Sequence, residues 1–241
     1  VTAMRAEAII FDVDGTLAET EEIHRLAFNE TFIRFGLDWY WNRPLYRELL
    51  DITGGKERIR AFVASRRPAE GTRALEQVAE MHAAKTEIYT QLVAEGAARL
   101  RPGVLRLISE AKDKGVRLAI ATTTSLANVE ALLQSAFGVP SSSIFEVIGA
   151  GDIVAAKKPA PDIYRHVLDE LRMPTFACIA IEDSRNGLDS ARAAGLPTLV
   201  TPSVYTSHQS FPGALAVVPD LDTPPVSLET IARWRAADAG W

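Results

Sequence analysis

The chain has 241 residues, 47% hydrophobic and 24% charged, which suits one large globular domain or a core with a smaller insert. Scattered basic residues, 26 against 31 acidic for a net charge of −5, exclude a nucleic-acid footprint, and no apolar run approaches the ~18 residues that span a bilayer. The single cysteine, Cys178, excludes an internal disulfide and reads as a buried strand thiol.

No secretory signal is seen at the start, and Met4 is expected to be the native first residue, with a removed organellar transit peptide as the alternative. Ala8–Phe11 is a short continuous apolar run, as expected of a parallel strand covered on both faces. From Ala18 to Glu95 no strand pattern follows. Helical runs occupy Thr20–Phe35, Pro44–Leu50, Lys56–Arg66 and Thr72–Ala94. Pro102–Lys114 is an amphipathic helix stopped by Gly115. Strands and helices then alternate. Strands are expected at Val116–Ala121, Phe145–Gly149, Ala177–Ile181 and Pro197–Thr201, and helices at Leu126–Phe137, Pro161–Leu171 and Ser184–Ala194. Ser203–Pro225, rich in Pro and Ser, is expected to loop around a short strand at Ala216–Val218.

This rhythm predicts an α/β fold: a doubly wound, Rossmann-like parallel sheet with a helical insert after its first strand. The core is expected at 1–17 and 96–241 and the insert at 18–95. Right-handed crossovers place the strand C-termini along one edge, where ligands bind in such sheets.

Four segments meet that edge. The first strand runs into Asp12-Val13-Asp14-Gly15-Thr16, where two carboxylates can face the edge as Gly15 turns the chain. The plainer reading is an Asp-Gly turn. The second strand ends in Thr122-Thr123-Thr124, hydroxyls and backbone N–H groups that can cradle a phosphate, or simply cap the next helix. Lys157-Lys158-Pro159 offers an ammonium for a phosphate, or a solvated surface pair. Glu182-Asp183-Ser184 offers oxygen ligands for a hard cation such as Mg²⁺, or again a helix cap. Each plain reading is credible alone; all four features in this order on one edge favour phosphate chemistry.

In the insert, Thr53-Gly54-Gly55-Lys56-Glu57-Arg58 pairs glycines that admit a close ligand with two cations able to grip a second anion. The alternative is a turn before a charged helix. His24 and, more weakly, Lys85 are further candidates for the same cleft. Trp39, Tyr40, Trp41 and Tyr46 form an aromatic cluster read mostly as the insert's core, with Tyr46 a possible substrate contact.

Asp12-Val13-Asp14-Gly15-Thr16, then Thr122, Lys158 and Glu182-Asp183, resemble the haloacid dehalogenase superfamily over the whole chain. The insert resembles that superfamily's helical cap of the β-phosphoglucomutase type. The stretch Asp12–Glu22 with His24, Arg25, Ala27, Phe28 and Asn29, together with Thr53–Ile59 and Ala121–Thr124, resembles its CbbY-like phosphatases. The resemblance implies that Asp12 attacks phosphorus and that Asp14 protonates the leaving group and then activates water. It implies that Thr122 and Lys158 complete the catalytic set. Mg²⁺ would sit on Asp12, Asp183 and the Asp14 carbonyl, with Glu182 in support. Glu19, His24, Gly54, Gly55, Lys56, Arg58, Lys85, Thr123 and Thr124 would bind a sugar phosphate, here the xylulose-1,5-bisphosphate that inhibits Rubisco. A monomer acting on a small molecule, without nucleic acid or membrane, is expected in the cytoplasm, or in a plastid stroma if a transit peptide has been removed. A phosphosugar mutase shares the same motifs. A non-catalytic phosphate-binding module is disfavoured because both Asp12 and Asp14 are present.

Overall fold

The computed structural model describes residues 6–238; Met4 and the three residues before it lie outside this range. Six strands form one all-parallel sheet: β1 Ala8–Phe11, β2 Arg117–Ala121, β3 Val147–Gly149, β4 Cys178–Glu182, β5 Thr198–Val200 and β6 Ala216–Val217. The order is β3-β2-β1-β4-β5-β6. β1 lies at the centre, with Phe11 beside Ile120 on one neighbour and Ile181 on the other.

Within the three central strands, side chains divide by size as they alternate. Ile9, Phe11, Leu118, Ile120, Ile179 and Ile181 fill one face, against Leu107 of α6 (Val104–Asp113), Leu132 of α7 (Leu126–Phe137) and Ile231 of a C-terminal helix. The opposite face carries Ala8, Ala119, Ala121, Cys178 and Ala180, with Ile10 the one large side chain among them. Those small residues let α8 (Asp162–Leu171) and α9 (Arg185–Ala193) lie close, and they admit the buried ring of Tyr164. Cys178 is the buried thiol expected, and burial pushes its pKa up to about 11.

Between β1 and β2 stand α1 (Glu21–Arg34), α2 (Arg43–Leu49), α3 (Gly55–Arg66), α4 (Gly71–Glu76) and α5 (Val78–Ala94). They enclose their own aromatic core of Phe28, Phe32, Trp39, Trp41, Tyr46 and Phe62. Trp41 is its hub, with ring centroids 4.7 Å from Phe28, 4.8 Å from Phe32 and 5.4 Å from Phe62. Tyr40 departs from the expected cluster: it is exposed, with Arg25 over its ring.

The differences from expectation are local. The run expected as one helix at Thr72–Ala94 turns at Gln77, where the sequence carries no breaker. The strand expected from Phe145 begins at Val147, because Phe145 closes the 3₁₀ turn at Ser141–Ser143 and packs edge-on to Phe11. The C-terminal helix α10 (Leu228–Asp238) was not anticipated. Its cap is Ser227, which accepts from the Thr230 amide at 3.1 Å, and Leu228, Ile231 and Ala232 bury one stripe.

Trp41→Ala should destabilise the insert by about 3–5 kcal/mol, the usual cost of truncating a fully buried large aromatic. Urea unfolding followed by far-UV circular dichroism reads it; a loss under about 1 kcal/mol would mean the aromatic core relaxes around the gap.

Candidate active site

Asp12 extends β1 by one residue, its amide bonded to the Ile181 carbonyl at 3.0 Å. The chain then turns through Asp14 and Gly15. Gly15 has φ +80°, and a Cβ there would lie 2.3 Å from Asp183 Oδ2, so both its backbone and its lack of a side chain are required. Lys158 enters from the loop after β3. Its Nζ donates to Asp12 Oδ1 at 2.7 Å, Glu182 Oε1 at 2.6 Å and the Ala121 carbonyl at 2.9 Å, using all three ammonium protons. Glu182 Oε1 also accepts from the Tyr164 hydroxyl at 2.6 Å.

Ligand oxygens of Asp12, Glu182 and Asp183 all lie within 4.8 Å of one another, and all three residues are buried. Burial raises the Asp12 carboxyl to about 7; Lys158 opposes this and the charge on Glu182 adds to it. Burial, then Asp12 and Glu182, hold Asp183 well above the usual carboxylate range. Burial would lower Lys158, but the Asp12 and Glu182 carboxylates outweigh it and keep the ammonium protonated. Three carboxylates against one ammonium leave two negative charges uncompensated when all are ionised. Such a buried oxygen-rich cluster fits a divalent hard cation.

Asp14 stands apart from this group. Its Oδ1 accepts from Thr20 at 2.5 Å and lies 2.9 Å from His24 Nε2. Lys85 Nζ lies 2.5 Å from His24 Nδ1, and because an ionised Asp14 carboxylate only accepts, Nε2 carries the ring proton offered to it. The imidazole is stacked on Tyr89 with centroids 4.1 Å apart. Burial would raise Asp14, but its interactions with His24 and Thr20 hold it well below the usual carboxylate range. Burial lowers Lys85 to about 7, partly opposed by Asp14.

Ser125, not a threonine, caps α7 by accepting from the Asn128 amide at 3.3 Å, and Thr122, Thr123 and Thr124 line the cleft. Ser184 caps α9, accepting from Gly187 at 3.2 Å, and Asp183 faces the cluster. Lys157 is half-buried and turned away from the cluster, paired with Asp152 and the Gly151 carbonyl, whereas Lys158 is buried.

A single cleft brings together Asp12, Asp14, His24, Gly54, Gly55, Arg58, Lys85, Thr122, Thr123, Thr124, Lys158 and Asp183. Glu182 lies behind its wall, fully buried. Two expected substrate contacts sit elsewhere. Glu19 is drawn to Arg101 at 3.3 Å, outside this cleft. Lys56 reaches across to Asp152 at 2.5 Å, drawn to a carboxylate on the β3–α8 loop rather than into the cleft. Arg58 does face the cleft, but its guanidinium is held by the carbonyls of Leu49 and Ile52 and by the Tyr46 hydroxyl at 3.1 Å. Tyr46 lines no part of it. It bonds Glu21 at 2.9 Å and so positions two groups that do.

Sequence reasoning missed Glu21, His82, Asn128, Asn186, Thr206 and Gln209 in the lining. Asn128 carried a signal, being three residues after a serine cap. Asn186 was legible only in space: it donates from α9 to the Asp51 carbonyl at 3.0 Å and to Thr53 at 3.2 Å, joining core to insert. His82 is lowered to about 4 by burial, with Lys85 and Lys56 adding to it, and is therefore neutral near pH 7.

A Cβ at Gly187 would fall 1.9 Å from Glu182 Oε2. Gly187→Ala should therefore push Glu182 off Lys158 and reduce turnover at least about tenfold while the helix gains propensity. Near-normal turnover in a folded variant would count against Glu182 as the support of Lys158.

A family model for haloacid dehalogenase-like hydrolases matches residues 6–195. The protein CbbY of Cereibacter sphaeroides is 58% identical over 208 residues, covering 86% of this chain and 89% of that protein. CbbY of Rhodobacter capsulatus is 55% identical, over 90% and 95%. Among solved structures, CbbY from Rhodobacter sphaeroides in complex with phosphate superposes with a TM-score of 0.88 at 53% identity, covering 93% of this chain and 98% of that one. A mutant of the same protein, in complex with xylulose-(1,5)bisphosphate, gives 0.89 at the same identity and coverage. A β-phosphoglucomutase from Clostridium difficile gives 0.79 at 19% identity, a likeness of fold alone. With its central carboxylates, buried lysine and all-parallel sheet in the arrangement just described, the chain belongs to the haloacid dehalogenase-like hydrolases.

Proposed function

We propose that this hydrolase is a Mg²⁺-dependent phosphatase for a sugar bisphosphate, and that it removes the 1-phosphate of xylulose-1,5-bisphosphate through an aspartyl-phosphate on Asp12. The observation that carries the reading is one cleft holding two differently tuned carboxylates at its floor, Asp12 and Asp14, and a buried guanidinium, Arg58, in its opposite wall. The similarity to CbbY, crystallised with that bisphosphate, supports the choice of sugar.

Asp12, oriented by Lys158, is the nucleophile: a carboxylate oxygen attacks phosphorus as the ester oxygen leaves. Asp14 serves the leaving oxygen and then the water. In the free protein it is ionised, the form that takes a proton from water; an arriving phosphate dianion opposes that charge and favours proton uptake, the form that protonates a leaving group. Water activated by Asp14 then attacks phosphorus and releases the Asp12 carboxylate. Thr122, Thr123 and Thr124 hold phosphate oxygens with the N-terminus of α7. Mg²⁺, held by Asp12, Asp183 and the Asp14 carbonyl, would supply charge neutralisation against the like-charge approach of carboxylate and phosphate.

Residues 18–95 act as a cap that closes the cleft, and the contacts of Lys56 and Asn186 across the boundary belong to the closed form. The distal phosphate lies toward Gly54, Gly55 and Arg58. One chain supplies every group named, which fits a monomer. No described helix is long and apolar enough to cross a membrane; the similarity to bacterial CbbY proteins supports a cytoplasmic reaction over one in a plastid stroma.

Phosphate release from a panel of sugar bisphosphates and monophosphates, with and without Mg²⁺, tests the reading. Asp12→Asn should abolish release and keep the wild-type melting temperature within a few degrees; turnover by this variant would remove Asp12 as the nucleophile. Arg58→Ala should lower kcat/KM for the bisphosphate by about 10- to 150-fold and for p-nitrophenyl phosphate much less, since the small ester never reaches the cap wall. Equal losses would assign Arg58 to cap structure through its bonds to Leu49 and Ile52.

Metal binding should depend on pH. In the metal-free protein, the raised Asp12 pKa favours the protonated form. Its contribution to stability is therefore full below about pH 4 and lost as pH rises through about 7. A cation must displace that proton, so Mg²⁺ affinity should fall at least about tenfold between pH 8 and 5.5, with proton release measurable by calorimetry in buffers of different ionisation heat. A flat affinity over this range would contradict the assignment of Asp12 as a ligand.

A further inference from the structure

Beyond β5 the chain runs through Pro202-Ser203-Val204-Tyr205-Thr206 over the edge of the cleft. The root of this loop is fastened. Arg101 donates to the carbonyls of Thr201 and Gly15, each at 2.5 Å, and of Pro202 at 2.8 Å, tying the loop to the turn that carries Asp14. Two adjacent side chains then part in opposite directions.

Tyr205 leaves the α/β core and enters the aromatic core of the insert. Among the described residues it is the one member of that buried cluster that comes from outside the insert. Its ring stands edge-on to Tyr46, with centroids 5.7 Å apart and planes at 88°, and its hydroxyl donates to Glu22 of α1. Thr206 turns back. Its Oγ1 lies 2.8 Å from the Asp183 carbonyl and 3.1 Å from Asp183 Oδ2, and it accepts from the Ser203 amide at 2.8 Å. Tyr46 is the residue that bonds both Glu21 and Arg58 in the cleft wall. An unbroken series of contacts therefore runs from Arg58 through Tyr46 and Tyr205 to Thr206 and Asp183.

Consecutive Cα atoms are 3.8 Å apart, and a hydrogen bond tolerates displacements of only a few tenths of an ångström. A Tyr205 that is out of its slot cannot leave the Thr206 hydroxyl where Asp183 needs it. We propose that Tyr205 is a positioning residue that makes the placement of the Asp183 carboxylate, and hence the affinity of the acidic cluster for its cation, depend on the seating of the insert over the core. This rests on the reading of the insert as a closing cap. Its consequence is that the cation site is fully formed only when the cap is down, so phosphoryl transfer and exclusion of bulk water are assembled together. Tyr205 touches neither the cluster nor the cleft, so its influence on the metal is separable from contact.

The test is Mg²⁺ titration calorimetry on the full chain for the wild type, Tyr205→Phe, Tyr205→Ala, Thr206→Val and the Tyr205→Ala/Thr206→Val pair, with melting temperatures alongside. Tyr205→Ala should weaken Mg²⁺ binding about five- to tenfold and Thr206→Val by a similar factor. The pair should bind no more weakly than Thr206→Val alone, because both act through one contact. Tyr205→Phe keeps the ring and loses only the bond to Glu22; it should show a smaller loss, and it carries the test if the alanine variant does not fold. Unchanged Mg²⁺ affinity in the folded Tyr205 variants overturns the proposal, even with a lowered melting temperature, which is what a purely structural role would give. Full additivity in the pair overturns it too, as does an absence of Mg²⁺ binding by the wild type. Failure of the bisphosphate reading would show separately, as a wild type that hydrolyses p-nitrophenyl phosphate as well as any bisphosphate; the Mg²⁺ titrations would still decide the role of Tyr205.

Discussion

Lys158 sits between Asp12 and Glu182 with all its protons used, and the rest of the site depends on this arrangement. Without it, burying Asp12, Glu182 and Asp183 side by side would set like charges against one another in a medium that screens them poorly. With it, one carboxylate oxygen of Asp12 is fixed and the cluster retains an excess of negative charge that calls for a cation. A buried cluster of this charge and donor set fits a divalent hard cation.

The sheet is built so that this group can exist at its edge. β1 is central and its neighbours are in register, so the strand ends that carry Asp12, Thr122 and Glu182-Asp183 come out side by side. The small-residue face admits Tyr164 beneath the site, where its hydroxyl takes the remaining demand of Glu182 Oε1. Gly15 and Gly187 then leave the space that Asp183 and Glu182 fill. These glycines differ in their demands: Gly15 needs both a positive φ and an absent Cβ, whereas Gly187 sits in ordinary helix and is there for space alone.

The insert contributes a second aromatic core, completed by Tyr205 from the α/β part, and its chemistry is the complement of the first. The floor of the cleft is rich in carboxylates, while the insert supplies Arg58, Lys85 and the His24 that steadies Asp14. The two parts share apolar packing, since Ile23, Ala27, Ile88, Tyr89 and Val93 of the insert lie in one cluster with the covered face of the sheet, and polar contacts at Lys56–Asp152 and Asn186–Thr53 and the Tyr205 ring join them further. Exposed ion pairs such as Lys56–Asp152 contribute no more than ~1 kcal/mol.

Much of this was legible from residue order alone. Continuous apolar runs marked the buried strands, because parallel strands covered on both faces need no polar side. The absence of strand patterning from Ala18 to Glu95 marked the helical insert. Asp12, Asp14, Lys158 and Glu182-Asp183 were recognisable because strand-end acids in an α/β sheet gather on one edge whatever the intervening lengths. What the sequence could not decide was the direction of long, flexible side chains and the pairings across the boundary. Lys56 has the right charge and Glu19 the right neighbours for substrate contacts, yet each is captured by a partner distant in sequence, Asp152 and Arg101. Tyr46 and Tyr205 read as core aromatics or loop residues, and only their meeting in space makes them supports of Arg58 and Asp183. The sequence by itself determined the fold and the gathering of Asp12, Asp14, Glu182 and Asp183 at one sheet edge, because these follow from local periodicity and strand order; the tertiary structure alone decided which cationic side chains face the cleft, because a side chain with several rotatable bonds goes to the strongest partner within reach.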